Sequence, residues 1–519
     1  MKTIFIFLFF SISASAQINL NSDFKAPELG KPFSQVKSEI KRTYKNDKGE
    51  ILFLKFRSKG LNVQKYDPKS MALISDKYIK IYKAAKSIQK VFFIDDRLFL
   101  LIARKNVKST TFYRQEIYFS SGDAGKEEFI FSTIGGTLST AGRADLNVNG
   151  AFGFNKLPTK FAIFQSADSS KILIAYRSKS FKKNVGYHVL DNKLRLLWGY
   201  ESARKPEEPQ LQPRCWMITN NGKVYFSLYD GKARALLLYE CQKDGRLITS
   251  TLKQNIVNNG GHHMQELRDG SICYSFFTNS RGFDLYRNTY EYLDNSLLYV
   301  IVESTGVVKE HIVKIPLGVL NQSVRKSTKK RNEKAHAKGK TYGVSSLGVQ
   351  HILEQVNGDL LVVGEDYRAY GDYPDYSYVH KSMMVLSVTR SGELNWVNKI
   401  CKFQSAGSGK HGIGYGLFSR KNNLYVFYID NIKNVLDPPM YLPKMYRGEY
   451  KKGVLSYAKI NIKTGGMVRH NVFELKSVAG TKAEYINIPH PVELDKKTIL
   501  LEIYTGKRFD NVLKLTLKD

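Results

Sequence analysis

The chain has 519 residues, 42% hydrophobic and 12% aromatic with 32 tyrosines, and its 80 Lys and Arg against 47 Asp and Glu give a formal charge of +33. That composition excludes a disordered or collagen-like chain, and the length leaves either several domains or one long all-β unit. A positive field of this size favours polyanions such as lipid head groups or acidic polysaccharide.

The chain opens MKTIFIFLFFSISASAQ. Lys2 precedes an apolar run, Thr3 to Ile12, that is too short to span a bilayer. Ala14-Ser15-Ala16 then supplies the small residues a signal peptidase needs, so residues 1–16 read as a cleaved signal peptide. Export argues against a nucleic-acid partner. No later stretch approaches the roughly 20 apolar residues of a spanning helix, so the mature chain carries no transmembrane segment. The last residues, NVLKLTLKD, alternate like a final strand. With no second address visible, the predicted compartment is the periplasm rather than the cell surface.

Between the ends one unit recurs. NDKGEILFLKF (46–56), IDDRLFLLIAR (94–104), ADSSKILIAYR (167–177) and NNGKVYFSLYD (220–230) share a tight polar turn followed by an apolar run. LRDGSICYSFF (267–277), VNGDLLVVGED (356–366), RKNNLYVFYID (420–430) and LDKKTILLEIY (494–504) repeat it. The turn residues provide hairpin backbone angles, and the unbroken run suits a strand covered on both faces. Second and outer strands follow in several units, two of them carrying Trp198 and Trp396. Repeated four-stranded units mark a β-propeller, in which each blade buries its faces against the next. The expectation is an all-β single propeller occupying 17–519. Seven blades are expected, then eight, then six, because strands from the N- and C-terminal ends can pair to close the ring and share a blade. Two packed β-sandwiches are the competing arrangement.

Three irregular insertions interrupt the repeats, near 321–345, 366–380 and 430–452. RKSTKKRNEKAHAKGK (325–340) holds eight Lys or Arg and one Glu. Such a block repels itself and is expected to be a disordered, solvated loop. Lys329, Lys330 and Arg331 at its centre could dock an anionic partner. GEDYRAYGDYPDYSY (364–378) places Tyr367, Tyr370, Tyr373, Tyr376 and Tyr378 too close together for all to be core. Exposed tyrosines offer a flat apolar face with a polar tip, suited to protein or sugar. DNIKNVLDPPMYLPKMYRGEY (430–450) adds Tyr441 and Tyr446 on a segment stiffened by Pro438, Pro439 and Pro443.

Catalytic and metal signatures are missing. There is no Gly-x-Ser-x-Gly, His-Glu-x-x-His or EF-hand pattern, and SAGSGKHG (405–412) lacks the spacing of a phosphate loop. Adjacent His262 and His263 would face opposite sides of a strand. Asp366, Asp372 and Asp375 are few for calcium. A glycosidase would need two positioned carboxylates, which the sequence cannot pair across blades. Cys215 and Cys241 flank two strands of a meander, roughly 9–10 Å apart, and a disulfide needs about 7 Å. Mostly free, buried thiols are expected. No catalytic residue, metal or cofactor is assigned.

VQHILEQVNGDLLVVGEDYRAY and YSYVHKSMMVLSVTRSGELNWVNKICK, within 349–402, resemble a group of uncharacterised exported β-propeller proteins of Bacteroidetes. The likeness rests on Gly358, Gly364-Glu365, Tyr367, Gly392-Glu393, Trp396 and Lys399 to Lys402, with Asp430-Asn431 and Asn434 as a second match. Cys401 departs from it. The resemblance implies a propeller and no activity. A fainter association, by compartment and phylum alone, is with secretion machinery. The expected function is a non-catalytic periplasmic interaction module that docks an envelope or outer-membrane protein. The alternative is a glycan-binding or glycan-cleaving propeller.

Overall fold

The computed structural model describes residues 23–36, 40–57, 60–80, 86–106, 109–133, 161–177, 185–201, 213–230, 235–252, 261–278, 282–284, 289–291, 296–339, 347–370, 377–407, 413–436, 442–488, 491–506 and 508–518. Most of these form eight consecutive antiparallel sheets, the blades of one β-propeller, and Gly282–Asp284 with Thr289–Glu291 make a separate two-stranded sheet. Blade 1 is Ile40–Lys45, Ile51–Arg57, Gly60–Tyr66 and Leu73–Lys80; blade 2 is Lys86–Ile94, Arg97–Lys105, Thr110–Ile117 and Glu128–Ser132. Blade 3 is Ala162–Gln165, Lys171–Arg177, Val185–Asp191 and Leu196–Glu201; blade 4 is Pro213–Ile218, Val224–Asp230, Ala235–Cys241 and Leu247–Leu252. Blade 5 is His262–Glu266, Ile272–Phe277, Ser296–Val302 and Val308–Lys314, and blade 6 is Leu347–Glu354, Leu360–Tyr370, Ser377–Val388 and Leu394–Ile400. Blade 7 is Gly416–Arg420, Asn423–Asn431, Gly453–Asn461 and Met467–Glu474.

Blade 8 draws on both ends of the chain. Tyr485–Ile486 and Val492–Glu493 pair with Thr498–Gly506, which pairs with Phe509–Thr516. Glu28–Leu29 and Phe33–Ser34 add the outer edge by pairing with that last strand. This corrects the expected seven. Every recurring turn-plus-strand unit supplies the first turn and second strand of its own blade. The extra outer strand comes from 28–34, upstream of the first unit, so no unit is shared.

Burial follows the repeat. The second strand of each blade is covered on both faces, Ile272–Phe277 along its whole length and Ile51–Arg57 except at its last residue. Eight apolar clusters result, one at each junction between neighbouring blades. One joins blades 1 and 2 through Leu54, Val63, Leu100 and Ile117, and another joins blades 5 and 6 through Phe277, Tyr299, Val362 and Leu386. The cluster of Phe33, Phe53, Tyr66, Leu500 and Val512 sets blade 8 against blade 1. Each blade thus covers its neighbour, which one sheet could not do alone. First turns use residues that accept positive φ: Asp95 and Asp96 at 48° and 62°, and Gly358 at 85°.

All four cysteines are free and buried. Cys215 and Cys241 stand on the first and third strands of blade 4, separated by the second. Burial pushes the Cys215 and Cys273 thiols up to about 12.

Two expected loops have regular structure instead. Lys326–Ala337 is a helix (α2), preceded by a one-turn helix, Leu317–Leu320 (α1). The disorder expected from charge repulsion is overturned because Lys, Arg, Ala and Glu are good helix formers and the helix is anchored. Asn332, 2% exposed, donates from Nδ2 to Asn321 Oδ1 at 2.9 Å. Residues 366–370 and 377–380, expected to be irregular, instead continue the second and third strands of blade 6 as far as the Tyr370–Ser377 pair. Their aromatic and β-branched residues favour that extension.

Candidate functional site on the loop face of blades 6 and 7

Strands alternate direction within each blade, so the connections sort onto two faces of the ring. Links from first to second and from third to fourth strands leave one face, the turn face. Links from second to third strands, and from blade to blade, leave the other. The described stems of all three long insertions leave on this second face: 315–339 after blade 5, the strand ends at Tyr370 and Ser377 in blade 6, and 432–436 with 442–452 in blade 7. They are neighbours there.

Further pairing knits the second and third of them together. Gln404–Gly407 adds a strand to the blade 6 extension, with His380 opposite Gln404 and Ser377 opposite Gly407. Tyr446 continues it, donating from N to Phe403 O and accepting from Ser405 N, both at 2.8 Å. Asn434 holds the base of the blade 7 insertion, with Nδ2 to Lys444 O at 2.9 Å and Oδ1 accepting from Lys444 N at 2.7 Å. Asn431 Nδ2 donates to Met445 O. Beneath them Asp430 Oδ1 accepts from Asn434 Nδ2 and Asn431 N.

The hairpin stands on a buried charged group. Glu365 on the second strand faces His380 on the third, with Nδ1 3.1 Å from each carboxylate oxygen. Lys402 Nζ lies 2.5 Å from Glu365 Oε1 and 3.1 Å from Gln404 Oε1. Gln404 in turn donates to Ile429 O of blade 7. Burial pushes the Glu365 carboxyl up, but the charges of His380 and Lys402 outweigh it and bring it down to about 2. Asp366 next to it is pushed up by burial.

Half-buried His351 and Tyr415, on and just before the first strands of blades 6 and 7, face each other with ring centroids 6.0 Å apart. Burial pushes His351 down to about 4, against the pull of Glu365. Burial and nearby His351 bring His263 to about 4 as well. His262 is buried and its Nδ1 bonds the Tyr274 hydroxyl, so the two adjacent histidines do different things.

The predicted binding residues divide. Tyr367 and Tyr378 are half-buried and stack with centroids 6.2 Å apart, and Tyr367 meets His380 edge-on at 4.6 Å. Tyr370 ends its strand, and its side chain lies outside the described residues, as do Tyr373, Tyr376 and Tyr441. Tyr446 is 2% exposed and packs with Ile429 and Leu475, so it is a core residue and no docking group. Its backbone bridge to 403–405 draws the ring inward. Lys329, Lys330 and Arg331 are exposed on α2.

The residues behind the Bacteroidetes resemblance divide between this platform and the turn face of blade 6. Glu365 and Lys402 form the buried pair. Trp396 Nε1 donates to Ile462 O across to blade 7. Gly392 takes φ 103°, and a Cβ there would meet His311 Nδ1 at 2.7 Å. Sequence reasoning missed the charged group itself, although a signal existed: an acid or lysine inside an apolar strand, as in LLVVGED, ILFLKF and ILLEIY.

The fold and this face define a β-propeller with one elaborated sector. No protein-family model matches the chain, and no curated protein does, so the Bacteroidetes likeness stays an expectation. Among solved structures it is similar to the Dos1 propeller at 9% identity, covering 95% of this chain and 96% of that one, with a TM-score of 0.43. The polysaccharide lyase Uly1 shares 11% identity over 92% and 100% of the two chains, TM-score 0.35. A protein of unknown function from Bacteroides caccae shares 8% over 68% and 93%, TM-score 0.27. Among the described residues no helix is long and apolar enough to cross a membrane.

Proposed function

We propose that this propeller is a non-catalytic interaction module of the periplasm, docking an envelope or outer-membrane protein on the loop face of blades 6 and 7. The observation that supports this is the convergence of the tyrosine hairpin and the proline-rich insertion on one hydrogen-bonded platform. A rigid base lowers the ordering cost that loops otherwise impose on binding. Tyrosines at its tip would serve as anchors, and the positive field would steer encounter. The predicted signal segment, 1–16, supports the compartment.

The test is capture from envelope extracts by the full chain and by a variant with Tyr373→Ser and Tyr376→Ser. The expected result is a partner enriched by the wild type and lost with the variant, at unchanged melting temperature. Equal recovery by both would overturn the reading.

A further inference from the structure

Helix α2 carries a winding row of unpaired cations on a base that holds it still. At 100° per residue, Lys326, Lys330, Lys334 and Lys338 advance about 40° at each step of roughly 6 Å. Arg331 flanks the middle of the row, three residues before Lys334. Buried Asn332 lies opposite its middle, so the row faces away from the blades. Lys326, Lys330, Arg331, Lys334 and Lys338 are all exposed. Among the described residues none of them forms an ion pair, and Glu333 is the one acid in the helix. Lysines four apart repel, so setting them in one row costs α2 slightly, whatever each lysine contributes through helix propensity.

The base is unusual in its own way. Lys399, 5% exposed on the fourth strand of blade 6, sends Nζ to Leu320 O at 2.9 Å and Gln322 O at 2.7 Å. It thereby ties the chain just after α1 to the blade. The Asn332–Asn321 bond ties α2 to the same segment.

We infer that α2 is a docking rail for a flexible, linear, carboxylated polymer, an acidic polysaccharide. Three features select that occupant. The cations match it in sign and lie in a line. The exposed face has no aromatic or large aliphatic residue, whereas a desolvated protein interface is depleted of lysine and built on such anchors. The row turns through about 120° from Lys326 to Lys338. A flexible chain follows that path, and a flat bilayer meets only its middle. This goes beyond the docking reading and stands whether or not a protein uses the tyrosine hairpin.

The test measures binding of polygalacturonate to the full chain at 50 and 200 mM salt. Three proteins are compared: wild type, Lys330→Glu with Lys334→Glu, and a control with Lys243→Glu and Lys496→Glu on the turn face. Both doubles change net charge equally. The expected result is a loss of about tenfold or more for the α2 double, with a shallower salt dependence, and less than about twofold for the control. Equal losses would overturn the inference, since general charge would then account for binding. It would also fail if the dependence on α2 appeared with 1:1 phosphatidylglycerol–phosphatidylcholine vesicles or poly-glutamate and not with polygalacturonate. A milder pair, Lys330→Gln with Lys334→Gln, repeats the comparison if charge reversal disturbs the helix.

Discussion

The second strands of blades 6, 7, 8 and 1 each bury an ionisable side chain: Glu365, Asp430, Glu502 and Lys55. In blades 2 to 5 the buried residues described on the matching strands are apolar residues, serine, cysteine or tyrosine. Along its second strands the ring therefore has a charged half and an apolar half, and the charged half holds the parts that need a fixed partner. At the seam between blades 8 and 1, Lys55 Nζ lies 2.7 Å from both Glu502 and Asp510, while Lys41 lies 3.4 and 3.7 Å from the same two acids. Under the long insertions, Glu365, His380 and Lys402 do the equivalent work. A buried pair adds little over an apolar isostere, yet it penalises every wrong pairing. The comparison teaches that this fold spends charge on specificity and apolar surface on cohesion.

The largest effect should come from breaking the seam. Lys55→Met leaves two buried acids with only the more distant Lys41, and should cost about 3–5 kcal/mol, read from urea unfolding midpoints. A cost below about 1 kcal/mol would erase the distinction between the two halves.

Acid should act next, through Glu365 in the charged half and through two histidines on either side of its boundary, in blades 5 and 6. Glu365 is held at about 2, against an unfolded value of about 4.3. Its folded pKa is lowered, so its contribution is complete above about pH 4.3 and is lost as pH falls toward 2. The shift corresponds to about 3 kcal/mol. Glu365→Gln should flatten that part of a stability–pH profile. His263 and His351, held neutral down to about pH 4, act in the same direction from higher pH. Their contribution is present above about 6.5 and disappears as pH falls through 4. His351→Gln should therefore flatten the profile between those values, and an unchanged slope would place His351 in a solvated setting.

The apolar half should respond least. Ser275 in blade 5 is fully buried, and its hydroxyl has no hydrogen-bond partner among the described residues. Ser275→Ala should change stability by no more than about 0.5 kcal/mol. A loss above about 1.5 kcal/mol would reveal polar dependence where none is expected. The thiols sharpen the same point without any substitution: all four should ignore an aromatic disulfide reagent in the native state and react once urea unfolds the chain.

Much of the fold was legible because the hairpin unit is local. Polar turn and apolar run adjoin in sequence, and each of the eight runs became a second strand. The blade number was not, because it depends on whether the 28–34 segment pairs with 509–514, a contact between opposite ends of the chain. The α2 segment was misread because charge density was weighed above helix propensity. Tyr446 was misread because its burial comes from a bridge to residues forty positions away. Lys41, Lys55, Glu502 and Asp510 show the general reason: charges inside apolar runs announce a partner without saying which.

The outer strand of blade 8 has a consequence for how the molecule assembles. Glu28 and Leu29 leave the ribosome long before their partners: Glu28 and Lys514 stand 486 positions apart. Until then blade 8 lacks its outer edge, and blade 1 has nothing to press against through Phe53 and Tyr66. Synthesis thus produces a growing arc with two sticky ends, and ring closure is a single event, reached once 509–516 has emerged, that a nascent-chain protease assay would register as an abrupt gain in resistance.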